Sequence, residues 1–223
     1  MDNNQSVTVL IPAYNEAARI ARTVRAVLSS GVAGEVLVID DASQDDTARL
    51  AREAGARVLR HERNLGKGGA LNTGVKESRG DVLALIDADL GETAAEVARL
   101  VAPVLAGEAD MTIAAFPRTG KKAGFGLVKG LARWGIRRFA GFEAQSPLSG
   151  QRAMRREVVD AVGGFASGFG VEVGLTIDAA RKGFRVMEVP VQMSHAETGR
   201  DLAGFLHRGK QFWHVGLALL RRM

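Results

Sequence analysis

Asp81-Val82-Leu83-Ala84-Leu85-Ile86-Asp87-Ala88-Asp89 is an apolar run that stops at two acids one residue apart. The run has the length of a buried strand, and the acids then fall at its C-terminal edge. In open α/β sheets that edge is where ligands bind. Carboxylates beside a core are costly unless something pairs them. A divalent cation does so, and oxygen ligands suit Mg2+ or Mn2+. A solvated pair of loop carboxylates is the other reading of the same residues.

Upstream, Val7-Thr8-Val9-Leu10-Ile11, Glu35-Val36-Leu37-Val38-Ile39-Asp40 and Arg57-Val58-Leu59-Arg60 read as three further strands. Between them, residues 16–28 place Ile20, Val24, Val27 and Leu28 on one helical face. Ser43 or Asp45 can cap a second helix that runs to Gly55. Residues 64–69 form a Gly-rich loop ahead of a helix over 70–77. Strands alternating with helices at this spacing make βαβ units, so the expected fold is α/β with a mostly parallel sheet.

Downstream the pattern predicts a helix over 93–105, a strand over 110–115 and a Gly- and Lys-rich stretch over 117–126. A basic amphipathic helix follows over 125–139. Lys129, Arg133 and Arg137 line one edge of it, and Leu127, Val128, Leu131, Trp134, Ile136 and Phe139 cover the other side. Next come a short strand over 149–154, a helix over 156–162 stopped by Gly163-Gly164, and a helix over 171–182. Pro190 puts the strand over 184–191 at a sheet edge. A last amphipathic helix carries Phe205, Phe212, Trp213, Leu217 and Leu220.

The chain has 223 residues, 46% of them hydrophobic, which suits one domain with one sizeable core. Cysteine is absent, so disulfides, thiolate metal sites and a cysteine nucleophile are all excluded. The polar start at residues 1–6 gives no signal-peptide pattern, and no apolar run reaches the ~20 residues that span a bilayer. The expected location is cytoplasmic, with contact at the inner face of the cytoplasmic membrane left open. The net charge is +5, while acids concentrate near Asp40–Asp46 and Asp87–Glu96. That asymmetry suits a cation on one side of a site and anionic groups on the other. Nucleic acid is not an expected partner: the chain has one tyrosine, and no basic run interleaved with aromatics.

The first two strands end in Pro12-Ala13-Tyr14-Asn15-Glu16 and Asp40-Asp41-Ala42-Ser43, at the same sheet edge as Asp87 and Asp89. Asp40 or Asp41 can accept a hydrogen bond from a base or ribose, or cap the next helix. The loop Asn64-Leu65-Gly66-Lys67-Gly68-Gly69-Ala70 lacks P-loop spacing and does not follow a first strand, so it is neither a P-loop nor a dinucleotide fingerprint. Lys67 can still approach a phosphate; a tightly packed helix entry is the alternative. Glu172 opens a helix, where it either stabilises the dipole or orients and deprotonates an acceptor. Arg152, beside Gly150 and Gln151, is the best candidate for an acceptor phosphate, because guanidinium matches phosphate oxygens. His195 follows the last strand and precedes Glu197 and Arg200, as a structural residue or a ligand.

Taken in order, Val9-Leu10-Ile11-Pro12-Ala13-Tyr14-Asn15-Glu16, Val38-Ile39-Asp40-Asp41-Ala42-Ser43, the loop at Asn64–Ala70 and Gly80 to Asp89 resemble the family 2 glycosyltransferases. The resemblance implies a GT-A fold and a nucleoside-diphosphate sugar donor, a UDP-sugar in preference to a GDP-sugar. It implies that Pro12, Tyr14 and Glu16 border the base, that Asp40 or Asp41 holds base or ribose, and that Asp89 binds the metal with Asp87 beside it. On the same basis residues 1–115 form the nucleotide-sugar half and residues 116–223 the acceptor half.

Segments Gln145–Arg156 and Gly168–Asp178 are similar to those of glucosyl-3-phosphoglycerate synthases and dolichol-phosphate mannose synthases. By that likeness His195 completes the metal site, Arg200 joins the donor contacts, and a homodimer is compatible. Near Gly126-Leu127-Val128-Lys129 the hydroxyl residue of the phosphoglycerate loop is missing. The expected acceptor therefore bears a phosphate and is polyprenyl phosphate ahead of a soluble acid. The two amphipathic helices are packing elements or interfacial ones giving peripheral membrane contact. A nucleotidyltransferase and a non-catalytic nucleotide-sugar-binding protein are the readings from other classes.

Overall fold

A computed structural model describes residues 5–116, 126–165 and 171–194, together with residues 216, 219 and 220. All of the expected Gly- and Lys-rich stretch over 117–126 except residue 126, and all but three residues of the expected last helix, lie outside the described residues.

The chain runs β1 (Val7–Ala13), α1 (Ile20–Ser29), β2 (Glu35–Asp40), α2 (Thr47–Glu53), β3 (Arg57–Arg60), α3 (Gly66–Glu77) and β4 (Val82–Leu85). A short 3-10 helix (Gly91–Glu96) leads into α4 (Val97–Leu105) and β5 (Met111–Ala115). Then come α5 (Gly126–Ala140), β6 (Arg152–Arg155), α6 (Arg156–Val162), α7 (Val171–Arg181) and β7 (Val186–Pro190).

The strands form one sheet in the order β3-β2-β1-β4-β6-β5-β7. β1 pairs in parallel with β2 and with β4, β2 with β3, and β5 with β7, while β6 runs antiparallel between β4 and β5. The chain moves outward from β1 through β2 to β3 and then returns to the other side of β1 with β4. That reversal is a topological switch point, and the crevice for a ligand opens at the C-terminal ends of β1 and β4. β7 is an edge strand, as Pro190 requires.

Alternation along each strand sends side chains to two cores. Val9, Ile11, Val38, Val82 and Ala84 join Val24 and Val27 of α1 and Leu100 of α4 on one face. Leu10, Leu37, Ile39, Leu83 and Leu85 join Leu71 of α3, Val158 of α6 and Leu175 of α7 on the other. Burial on both faces explains why the central strands are apolar almost throughout. A third cluster packs Val128, Ala132 and Ile136 of α5 against Val173, Ile177 and Leu219.

Several expectations shift. Residues 17–19 form a turn, so the first helix begins at Ile20 and not at residue 16. The expected helix over 93–105 divides, its first turn being the 3-10 segment. Trp134, expected on the apolar side of α5, is 51% exposed. The buried stripe of α5 follows Val128, Ala132 and Ile136 at i, i+4 and i+8, which turns Trp134 outward beside Arg133, Arg137 and Arg138. Among the described residues no helix is long and apolar enough to cross a membrane.

Candidate active site

The loops after β1 and β2 are tied to each other before they meet any ligand. Asn15 donates its N–H to Ser43 Oγ at 2.9 Å, and its side-chain oxygen accepts from Gln44 N–H at 2.8 Å. Glu16 N–H reaches Thr47 Oγ1 at 2.8 Å. Both loops use left-handed residues, Asn15 at φ 55° and Ala42 at φ 65°. For alanine that conformation costs about 1–2 kcal/mol. Such strain persists only where the surroundings dictate it, and it clusters at functional sites.

Neither Asp40 nor Asp41 caps α2. The N-cap is Asp46, with no side-chain cap hydrogen bond, and Asp45 just before it accepts from Thr47 N–H at 3.0 Å and from the Thr47 hydroxyl. Asp40 is fully buried, accepts from Ser43 N–H at 3.1 Å, and lies 3.1 Å from Arg60 Nε. It does not line the cleft, so of the two expected base or ribose residues only Asp41 does. The Asp41 carboxylate accepts the N–H groups of Leu65 at 2.8 Å and Gly66 at 2.7 Å. These are amides that open α3 and would otherwise lack partners. The expected Gly-rich loop over 64–69 is therefore mostly the first turn of α3, started by an acid from another strand.

The helix start carries Lys67 to the end of β4. Its ammonium lies 2.7 Å from Asp87 Oδ1 and 3.7 Å from Glu172 in the first turn of α7. Burial draws the Lys67 pKa down, but the charges of Asp87 and Glu172 outweigh it and hold the group above the ordinary lysine value. The Gln151 amide donates to Asp87 Oδ2. Lys67 and Asp87 thus come together, and Glu172 joins them from the far half of the chain.

Pro12, Tyr14, Glu16, Asp41, Lys67, Asp87 and Asp89 all line one cleft of about 330 Å3 at the switch point. The Glu16 carboxyl is raised above its ordinary value, first by burial and then by the charge of Asp89, with Asp45 and Asp87 adding to it. This crowding of like charge is the donor chemistry that a hard divalent cation relieves. Among the described residues no three acid, histidine or cysteine side chains close a metal site by themselves. Two carboxylates completed by phosphate oxygens of a ligand fit such an ion, since Mg2+ commonly binds through one or two carboxylates plus substrate phosphates. His195 and Arg200, the other expected ligand and donor contact, lie outside the described residues.

Arg152 lies inside the fold. It is 1% exposed and is not on the cleft wall. Its Nε donates to Ser149 O at 3.0 Å, and Nη1 donates to Thr176 Oγ1 at 2.8 Å, which donates in turn to Glu172 O at 2.8 Å. Nη2 is buried without a hydrogen-bond partner among the described residues. Burial lowers its pKa to about 10, against the opposing pull of Glu172 and Glu188. Arg152 braces the turn of α7 that carries Glu172. Its place at the start of a core strand was the signal for burial; the guanidinium was not.

Two contributors escape the motif reading. His61 Nδ1 lies 2.7 Å from Asp41 Oδ1. Gly150 passes so close to Lys67 that a Cβ there would sit 2.5 Å from Nζ. A polar loop histidine carries no local pattern that marks it, and Gly150, though within the segment Gln145–Arg156, carries no side chain to suggest a role.

The model of Glycosyl transferase family 2 matches residues 8–166. The chain belongs to glycosyl transferase family 2. Glucosyl-3-phosphoglycerate synthase from Mycobacterium tuberculosis (strain ATCC 25618 / H37Rv) is 32% identical over 198 residues, which cover 78% of this chain and 60% of that protein. This chain thus spans only about 60% of the length of those synthases. Glycosyltransferase AglJ from Haloferax volcanii is 30% identical over 213 residues, 90% of this chain and 67% of that protein. The crystal structure of the Mycobacterium tuberculosis synthase in complex with Mn2+, uridine diphosphate and phosphoglyceric acid matches with a TM-score of 0.81 at 29% identity, over 98% of this chain and 78% of that one. The fold is accordingly GT-A.

Proposed function

We propose that this protein transfers a sugar from a UDP-sugar to a small phosphate-bearing acceptor of the phosphoglycerate kind, with Mg2+ or Mn2+ as its metal. The observation that carries this reading is the placement of Asp87 and Asp89 beyond β4, in one cleft with Glu16 and Lys67. Residues 1–115 serve as the donor half and residues 116–223 as the acceptor half.

Asp89, with Asp87 beside it, holds the metal, and His195 is its other proposed protein ligand. A divalent ion there supplies stabilisation of the charge that develops on the leaving diphosphate. The side chains do the remaining work. Pro12 and Tyr14 border the base, and Tyr14, 46% exposed, offers it a face. Asp41 accepts from base or ribose. Lys67, and by proposal Arg200, present positive charge to the phosphates. Glu172, 3.7 Å from Lys67, orients the acceptor hydroxyl or takes its proton.

The soluble acceptor is preferred over polyprenyl phosphate because the similar synthase structure holds phosphoglyceric acid. One observation favours the second reading, a lipid phosphate met at a membrane surface. Trp134 is 51% exposed on α5, and Arg133, Arg137 and Arg138 are exposed around it. Aromatic and basic residues on one helical face suit an anionic interface. Radiolabelled UDP-glucose with Mn2+ separates the two, offered either 3-phosphoglycerate or a polyprenyl-phosphate extract. Label in a soluble, acid-stable product supports the first reading, label in the organic phase supports the second, and label in neither refutes both.

A further inference from the structure

The Asp41 carboxylate is nearly saturated by the protein itself. A carboxylate offers about four acceptor sites, two on each oxygen. His61 Nδ1 lies 2.7 Å from Oδ1, Leu65 N–H donates to the same oxygen at 2.8 Å, and Gly66 N–H donates to Oδ2 at 2.7 Å. Among the described residues one site is left, on Oδ2. Asp41 is 4% exposed, and the surface it does show lines the cleft.

His61 is fixed in its turn. Its side chain is 10% exposed, and Nε2 lies 2.9 Å from Thr73 Oγ1 on α3. An ionised carboxylate can only accept, so Nδ1 carries the proton directed at Asp41, and in the neutral ring Nε2 accepts from the Thr73 hydroxyl.

We propose that His61 is a specificity-determining positioning residue for the base of the bound nucleotide. With the Leu65 amide it fills Oδ1, so Asp41 can take one hydrogen bond from a ligand and not two. Uracil presents a single donor, N3–H, flanked by two carbonyls. Guanine presents N1–H and the N2 amino group side by side, a pair that a carboxylate accepts with both oxygens. One remaining acceptor matches uracil and leaves a guanine donor unpaired in a partly desolvated cleft. Leaving a donor unpaired costs more than a typical hydrogen bond contributes. The inference rests on the nucleoside-diphosphate reading of the cleft.

Calorimetry on the full chain with Mn2+ tests it, using UDP, GDP and N3-methyl-UDP as probes. The wild type is expected to bind UDP at least about tenfold more tightly than either of the others. His61→Ala frees Oδ1 and should shrink the UDP-to-GDP preference by about tenfold. His61→Asn, whose amide can replace the Nδ1 donor, should restore it. Should His61→Ala fail to fold, Thr73→Val frees only Nε2 and should shift the preference in the same direction by a smaller factor. If the wild type binds UDP but binds N3-methyl-UDP or GDP equally well, the inference is overturned while the nucleotide reading stands. An unchanged preference in a natively melting variant overturns it in the same way. Binding of none of the three probes overturns the nucleotide reading and this inference together.

Discussion

Gly150 and Lys67 are packed so closely that a methyl group on the glycine would stand 2.5 Å from Nζ, and 3.4 Å from Asp87 Oδ2. The backbone leading into β6 therefore forms one wall of the Lys67–Asp87 pair. That wall comes from the second half of the chain, while the pair belongs to the first. The two halves thus meet at the cation that faces the proposed phosphates.

Gly150→Ala should displace the end of Lys67 without unfolding the protein, because a flexible side chain can yield where backbone cannot. The expected stability loss is on the order of 1 kcal/mol. The donor KM should rise about tenfold, as for loss of one charge-assisted contact. Steady-state kinetics beside a thermal melt checks both. An unchanged KM would show that the Lys67 position does not matter to the donor.

Ala42→Gly should stabilise the protein. The residue sits at φ 65°, where a β-carbon is strained and glycine is not. The gain should be about 1 kcal/mol, read from the midpoint of a urea melt. A loss of stability would mean that the Ala42 methyl makes packing contacts that outweigh its strain.

Asp110 should give the fold part of its acid sensitivity. Its carboxylate accepts Arg185 N–H at 2.8 Å, Nε at 3.1 Å and Nη2 at 2.9 Å, tying β5 to the residue before β7. The Arg185 side chain, acting against burial, holds the Asp110 carboxyl below its ordinary value of 3.8. A depressed acid contributes stability that is present above that ordinary value and is lost as pH falls through the folded one. Arg185 is 57% exposed, so solvent screens the pair. Asp110→Asn should then cost about 1–2 kcal/mol at neutral pH and flatten the stability profile below pH 4. Urea melts of both proteins from pH 7 to pH 3 test this; parallel profiles would remove the pair from the account.

Local pattern and long-range contact divided the sequence differently along the chain. Glu35–Asp40 and Arg156–Val162 fall where the sequence puts them, because apolar runs and paired glycines are signals carried by the segment itself. The start of α3 was not legible. Its glycines argue against a helix, and what opens it is Asp41, contributed by the end of β2. The direction of β6 was likewise hidden, since alternation does not tell parallel from antiparallel. Among site residues, acids at strand ends announced themselves. The burial of Arg152 was legible from its place on a core strand and not from its charge. His61 was missed because its meaning lies in Asp41 and Thr73, 20 and 12 residues away.

The central claim is that Asp89 makes nucleotide binding depend on a divalent metal. Calorimetric titration of UDP into the wild type and into Asp89→Ala, each with and without Mn2+, measures it directly. The account predicts that Mn2+ strengthens UDP binding to the wild type at least about tenfold, and that the variant keeps its melting temperature but loses this gain. Equal UDP affinity with and without Mn2+ in the wild type, or an undiminished Mn2+ effect in Asp89→Ala, would contradict it.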